Sequence, residues 1–343
     1  MTEYAPRPAV KILIGNKDKT ADFTPYMQSL VFEDHRAGES DRLTITLEDA
    51  PPTPGDTGPG LWLTPDWYPV KGAQVEAWMG YEGALLHCGL FEIDEISISD
   101  GAGGTTVSIT ALATPRSKPI RTANSAAYER KTLKEIAQGI AADHGLKLMG
   151  EPPEVSFNYV AQVDESDLAF LERLAEKSGA VFNVKGDKLV FHNVEEIAKQ
   201  PPIWKIKRQD VSSASFSDKV TTAAVSYSYY DGDKQELVES EEAGEKGASA
   251  DKTVVIVPVE NKAQQQAFAK AKSRAAKSKE RTAGLSMEGN TALVAGALVE
   301  IVGYGVLDGL WAIDTATHTV DVGGGYATAL ELKNALAWRG RQK

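Results

Sequence analysis

The chain has 343 residues, 42% of them hydrophobic and 25% charged, which is room for two or three domains with cores of their own and no need of staples. Its net charge of −11 argues against a general nucleic-acid binder, although not against an acidic channel that DNA slides past. Cys88 is the single cysteine, so no intrachain disulfide forms.

The opening "MTEYAPRPAVKILIG" carries no apolar signal core, and no run approaches a membrane span. The expectation is a chain made in a cytoplasm that leaves it only as part of something larger. The segment "DAPPTPGDTGPGLWLTPDWYPVKG" (49–72) holds six prolines and four glycines and reads as a large surface excursion. Its Trp62 and Trp67 are costly to leave wet. They either form a contact site or cover the end of their own β unit. Around it, Val75 and Ala77, then Leu90, Phe91 and Ile93, then Val107, Ile109 and Ala111 alternate with polar residues over much of their span. That period of two predicts strands with one buried face. Cys88 lies within such a strand and reads as a buried, inert thiol. Gly101, Gly103 and Gly104 sit between alternating runs, with no Gly-Lys-Ser/Thr behind them. They predict a hairpin and not a phosphate loop.

The middle of the chain changes period. "KTLKEIAQGIAADHG" (131–145) has Thr132 and Glu135 at capping-box spacing, Leu133, Ile136, Ala137 and Ile140 on one face, and Gly145 as a stop. "DESDLAFLERLAEKSG" (164–179) repeats that design with Leu168, Leu171, Leu174 and Ala175, ending at Gly179. A hairpin follows over 180–192, turning at Lys185-Gly186-Asp187. Residues 120–200 therefore read as a small α+β module, closed by the proline pair of "AKQPPIWK".

A second β unit begins near Ile203. Alternation over 221–239 predicts a strand with an Asp-Gly turn, and "ELVESEEAGEK" (236–246) reads as a loop crowded with Glu239, Glu241 and Glu242 among its acids. A helix is predicted at about 261–282. Its Ala267, Ala271 and Ala275 form a shallow packing face, and Lys270, Arg274, Lys277 and Arg281 run down one side. Both charged patches read either as solvated faces or as candidate contacts with a neighbouring subunit.

The chain then repeats itself. "GLFEID" (89–94) returns as "GLWAID" (309–314), "GAQVEAWMGY" (72–81) as "GALVEIVGY" (296–304), and "EISISDGAGGTTVSITAL" (95–112) as "TATHTVDVGGGYATALEL" (315–332). "ITLED" (45–49) answers "LSMEG" (285–289). The repeat predicts two β units of one fold, each a small barrel or sandwich, with Phe91 and Trp311 as equivalent core positions. The fold class is thus α+β, mainly β. Domains fall at 1–119, 120–200 and 201–343.

No chemistry surfaces in the pattern. The five histidines make no metal-ligand spacing, and no Gly-x-Ser-x-Gly occurs. Glu165, Asp167, Glu172 and Glu176 are the carboxylates a wall hydrolase would need, but they fall at outer or capping positions of one helix. Catalytic, cofactor and metal sites are all read as none, and no cofactor is expected.

The runs "ESDLAFLERLAEKSGAVFNVKGDKLVF" and "GNTALVAGALVEIVGYGVLDGLWAIDTATHTVDVGGGYATALELK", with "YMQSLVFEDHRAGESDRLTITLED" more loosely, resemble the phage late-control D proteins. These are the baseplate hubs of contractile-tailed phages and phage-tail-like bacteriocins. The resemblance covers roughly 10–335. It implies two tube-like antiparallel β-barrel domains flanking the α+β module, and a structural, non-enzymatic role. It implies a homotrimer whose ring of six similar units joins the six-fold tail tube protein to the trimeric central spike protein. Other baseplate proteins and the tape measure are further partners, with no specific nucleic-acid binding and no membrane insertion. The implied place is the baseplate of a virion or tail-like particle, assembled in the host cytoplasm. The sequence ends about ten residues past the second copy, so spike and lysozyme functions are expected on separate proteins. The rival readings are a peptidoglycan-binding or wall-degrading tail component, the former from a faint LysM-like echo in 132–145.

Overall fold

The computed structural model describes residues 7–50, 60–114, 119–219, 222–231, 236–243, 249–256, 260 and 262–335, with the side chains of 222–256 and 262–263 outside the description. The first β unit contains β1 (Pro8–Ile14), β2 (Lys17–Asp18), α1 (Thr20–Phe23), β3 (Met27–His35), β4 (Arg42–Glu48), β5 (Gln74–Tyr81), β6 (Ala84–Gly101) and β7 (Gly104–Leu112). Alternation does the work the sequence promised: Leu43, Ile45 and Leu47 of β4 and Val107, Ile109 and Ala111 of β7 are all buried in one core. Cys88 is buried there too, and burial pushes its thiol far up, away from the reactive thiolate.

The middle module follows with β8 (Ala123–Thr132), α2 (Leu133–Asp143), β9 (Lys147–Met149), β10 (Ser156–Ser166), α3 (Asp167–Ser178), β11 (Ala180–Lys185), β12 (Lys188–Asn193) and α4 (Val194–Lys199). The capping box forms as its spacing predicts. Thr132 Oγ1 accepts from Glu135 N at 3.2 Å, and the Glu135 carboxylate accepts from Thr132 N at 2.7 Å. α3 ends on Gly179 in the left-handed region, φ 71°. β8 pairs with β10, and β11, β12 and β9 form a second small sheet.

The second β unit has β13 (Trp204–Lys207) and β14 (Val211–Asp218). Then come β15 (Thr222–Asp231), β16 (Glu236–Ala243), β17 (Ser249–Ile256) and α5 (Lys262–Ser278), and last β18 (Arg281–Glu288), β19 (Leu298–Val302), β20 (Gly309–Asp321) and β21 (Gly325–Asn334). The alternating run at 221–239 forms strand as expected, and β15 lies in a separate three-stranded sheet with β16 and β17. Two expectations change here. The acidic segment is largely a strand, β16, and not a loop. The helix stops at Ser278, and Arg281 opens β18.

The two β units agree strand by strand. The first runs β3-β4-β7-β6-β5-β1, the second β14-β18-β21-β20-β19-β13. Registers agree as well. Val75 opposes Phe91 as Val299 opposes Trp311, and the β6–β7 and β20–β21 ladders each skip one residue, after Ile93 and after Ile313. The β3–β4 and β14–β18 ladders each carry one shift near the start, after Met27 and after Val211. Phe91 and Trp311 are both buried, and each meets a phenylalanine at 5.9 Å, Phe32 in one unit and Phe216 in the other. The decorations differ. Residues 36–41 join β3 to β4, whereas 219–280, with the small sheet and α5, stand between β14 and β18. The last strand also differs: β1 runs antiparallel to β5, but β13 runs parallel to β19.

Candidate interfaces and the junction between the units

The sequence nominated Trp62, Trp67 and two charged patches. Trp62 is 2% exposed and packs among Phe23, Tyr26 and Trp67 at 4.8–6.0 Å between ring centroids. Its backbone N–H donates to Asp49 Oδ1 at 2.7 Å. Trp62 therefore closes the core of its own unit and offers nothing to a partner. Trp67 stands on the rim at 36% exposure, with the Lys19 ammonium 5.7 Å from its ring.

The basic stripe is split. Lys270 reaches Glu195 of α4 at 2.7 Å, and Arg274 pairs with the same carboxylate. Burial opposes ionisation of Glu195, but those two cations outweigh it and hold its carboxyl below the usual range. Arg281 pairs across the ladder with Asp218 at 3.0 Å. Lys277 lies half-buried on the last turn of α5. At least three of the four cations thus hold the chain's own elements together, and Arg281 belongs to another element altogether. The carboxylates of Glu239, Glu241 and Glu242 lie outside the described side chains.

The feature that sequence reasoning missed is the joint between the β units. β20 pairs with its own β19 over its first residues and then, on the same edge, with β3 of the first unit, from Thr315 opposite His35 to Asp321 opposite Ser29. One sheet therefore runs through both units. Arg36 clamps the joint, donating from Nε (2.9 Å) and Nη2 (2.6 Å) to Asp314 Oδ1, while Lys333 reaches Oδ2 at 2.5 Å. Burial opposes ionisation of Asp314, but the two cations prevail and its carboxyl titrates below the ordinary value. His318 is fully buried across the joint, stacked on Phe32, with Nε2 2.9 Å from Leu293 O and Nδ1 2.8 Å from Tyr326 Oη. Burial holds the imidazole neutral by lowering its pKa.

The middle module locks onto this joint through Lys185. Its ammonium pairs with Asp34 of β3 and lies 3.0 Å from Asp41 Oδ2. Asp34 Oδ2 also accepts from Ala295 N of the second unit at 2.7 Å, so one buried carboxylate touches all three parts of the chain. Asp41 Oδ1 accepts from His35 N at 2.9 Å. Burial pushes Asp41 up to about 6, against the pull of Lys185. A signal for this existed: Leu30, Phe32 and Asp34 share the inward parity of β3, and a carboxylate at an inward position needs a partner.

Three of the four hydrolase carboxylates pair elsewhere, Glu176 with Lys272 of α5 at 3.7 Å. Glu165 pairs with Arg173. Asp167, expected at an outer or capping position, stands in the first turn of α3 and turns inward, within 2.6 Å of His144 Nε2 and accepting from Gln162 (2.8 Å) and Asn124 (3.1 Å). It ties β8, α2, β10 and α3 together at the first helical position, where the backbone N–H groups also favour an acid. Among the described residues no group of three or more His, Cys, Asp or Glu side chains is arranged to hold a metal, and no helix is long and apolar enough to cross a membrane.

The model of the phage tail baseplate hub (GPD) family matches residues 99–323. The chain is 29% identical over 187 residues to the "Probable baseplate hub protein" of Escherichia phage 186, covering 54% of this chain and 44% of that one. It is 29% identical over 210 residues to the protein of that name from Escherichia phage P2, covering 59% and 51%. The chain thus matches about half the length of these curated relatives. Among solved structures, the tail protein from Neisseria meningitidis MC58 aligns over 97% of this chain and 98% of that one, with a TM-score of 0.74 at 12% identity. An E. coli component of the type VI secretion system aligns over 94% and 76%, with a TM-score of 0.57 at 12% identity. These two show a shared fold: β units around a small α+β module recur in tail and secretion proteins. With the family model matched over well more than half of its length, the chain belongs to the phage tail baseplate hub family.

Proposed function

We propose that three copies of this chain form a ring of six similar β units that joins a six-fold tail tube to a trimeric central spike in a contractile tail or related injection device. The observation that carries this reading is the duplicated β unit, same in strand order and register, joined edge to edge within one chain. A threefold molecule that must mate with a sixfold tube gains six equivalent platforms from such a duplication. In this reading the domains at 1–119 and 201–343 build the ring, and the module at 120–200 braces them from outside.

The partners are a second and third copy of the chain, the tail tube protein, the central spike protein, other baseplate proteins and the tape measure. The net charge of −11 suits a lumen that DNA passes without sticking. The role is structural and not enzymatic: the chain assembles in the host cytoplasm and ends in the baseplate of the particle. Mass photometry of the purified protein tests the ring directly. A species at three times 36.9 kDa, recruited by tube protein into larger rings, is expected. A chain that remains monomeric with and without tube and spike proteins overturns the reading. A dye-release assay on labelled cell walls should show no activity above buffer.

A further inference from the structure

We infer that the contact between neighbouring copies is an antiparallel strand pairing of Glu95–Gly101 in β6 with Ser213–Lys219 of the next copy, in the register that β20 and β3 already use inside one chain. The inference rests on the ring reading above and specifies its surface.

The joint inside the chain is the template. On the edge of β20 beyond β19, residues 315–321 hold β3. β6 is the counterpart of β20, and β5 pairs only with its residues 84–92. Among the described residues, the same edge of β6 over 95–101 has no strand beside it. β14 is the counterpart of β3 and the last strand at the other end of the sheet, where, among the described residues, only β18 pairs with it. One copy therefore ends in the two half-joints whose union inside the chain is already made. Six strands separate them along the sheet path, and they are unlike edges, so they join head to tail between copies.

The equivalences fix the register. Matched ladder positions and their shared bulges align Thr315 with Glu95 and His35 with Lys219. The template then sets Glu95 opposite Lys219, Ser97 opposite Ser217, Ile98 opposite Phe216, Ser99 opposite Ser215, and Gly101 opposite Ser213 of the next copy. Five of the seven opposed positions are complementary, with an acid meeting a base, an aliphatic side chain meeting a ring, and small side chains meeting each other, while Ile96 opposite Asp218 and Asp100 opposite Ala214 add no favourable pair. Exposure agrees. His318 is fully buried at the internal joint, whereas Ile98, its counterpart, is 48% exposed. Phe32 is buried, whereas Phe216 is only half-buried. Neither edge carries a proline, and the one lysine of the two, Lys219, lies opposite Glu95 in this register.

Cysteine pairs in a Cys88→Ala background test the register. Oxidation of Ser99→Cys/Ser215→Cys, and separately of Ser97→Cys/Ser217→Cys, should give covalent dimers and closed trimers on a non-reducing gel. Cross-strand neighbours lie within disulfide reach. The slipped pair Ser97→Cys/Ser215→Cys should crosslink at least about tenfold less, since its partners are a two-residue diagonal apart. Ile98→Asp should leave the melting of the monomer unchanged and weaken trimer formation at least tenfold (~10), because a buried unpaired charge has no compensation. A trimer by mass photometry that crosslinks in neither matched pair, or equally in the slipped one, overturns this contact and leaves the ring reading standing. A protein with no trimer and no crosslink overturns both.

Discussion

Truncating Phe91 or Trp311 to alanine removes a ring from the same place in each of two cores. Each change should cost about 3–5 kcal/mol in urea unfolding, and a Trp311→Ala protein that unfolds like the parent would expel Trp311 from the core. Asp314 contributes differently. Its folded carboxyl titrates below its ordinary value of 3.8, so its stabilisation is fully present above that pH and is lost as pH falls through the folded value. Asp314→Asn should therefore cost about 1.5–3 kcal/mol near neutrality, and the difference from parent should shrink in acid. A difference that stays constant down to about pH 2 contradicts the Arg36–Asp314–Lys333 clamp. Phe91 and Trp311 were legible in the sequence because a period of two names the inward positions. Asp34 and His318 were not, because they occupy inward parity with polar groups whose partners lie far away in sequence. Trp62 was legible as one of two roles: it sits in a loop where no period applies, and the structure shows it covering its own unit.

The close seat of α5 on α3 comes from its alanines. A Cβ added at Gly179 would come 3.0 Å from the Cβ of Ala271, and Gly179 also holds φ 71° to end α3. Gly179→Ala should cost about 1–2 kcal/mol from the backbone alone, and a melt unchanged from the parent would refute the close seat. The charged side of α5 has the opposite lesson. Reversing Lys270, Arg274, Lys277 and Arg281 to glutamate places like charges against Glu195 and Asp218. The expected result is a lower melting temperature of the isolated chain, before any assembly is measured. Capping residues and apolar faces made α2 and α3 of the middle module readable, whereas the six residues of α4 are too few to show a period. The end of α5 was not readable either, because lysine and alanine continue past Ser278 and nothing local marks where tertiary pairing of β18 takes over. The sheet that β15 joins was not legible for a related reason: alternation announces a strand, not the sheet it joins.

At the scale of the whole molecule, Lys185 couples three parts through Asp34 and Asp41. Lys185→Met leaves two buried carboxylates without their cation, at about 1–3 kcal/mol for an unsatisfied group. Calorimetry should show the single transition of the parent broadening or splitting, with the middle module melting apart from the β sheet. A single sharp transition at the parent temperature would mean that the coupling lies elsewhere. The duplication itself was plain in the sequence, as four of six letters in "GLFEID" and "GLWAID" agree. The joint that links the copies was invisible, because strand addition is written in backbone groups that every residue shares.

The reversed run of β13 relative to β1 marks one rim of the molecule with two alternating hydrogen-bond rhythms. An antiparallel ladder spaces its bonds in narrow and wide pairs, whereas a parallel one spaces them evenly and aslant. In the proposed ring, the strands repeated without change would look the same every sixth of a turn, while this rim would look the same only every third. A spike built from three chains can count by that rim, and a tube built from six must read the other strands.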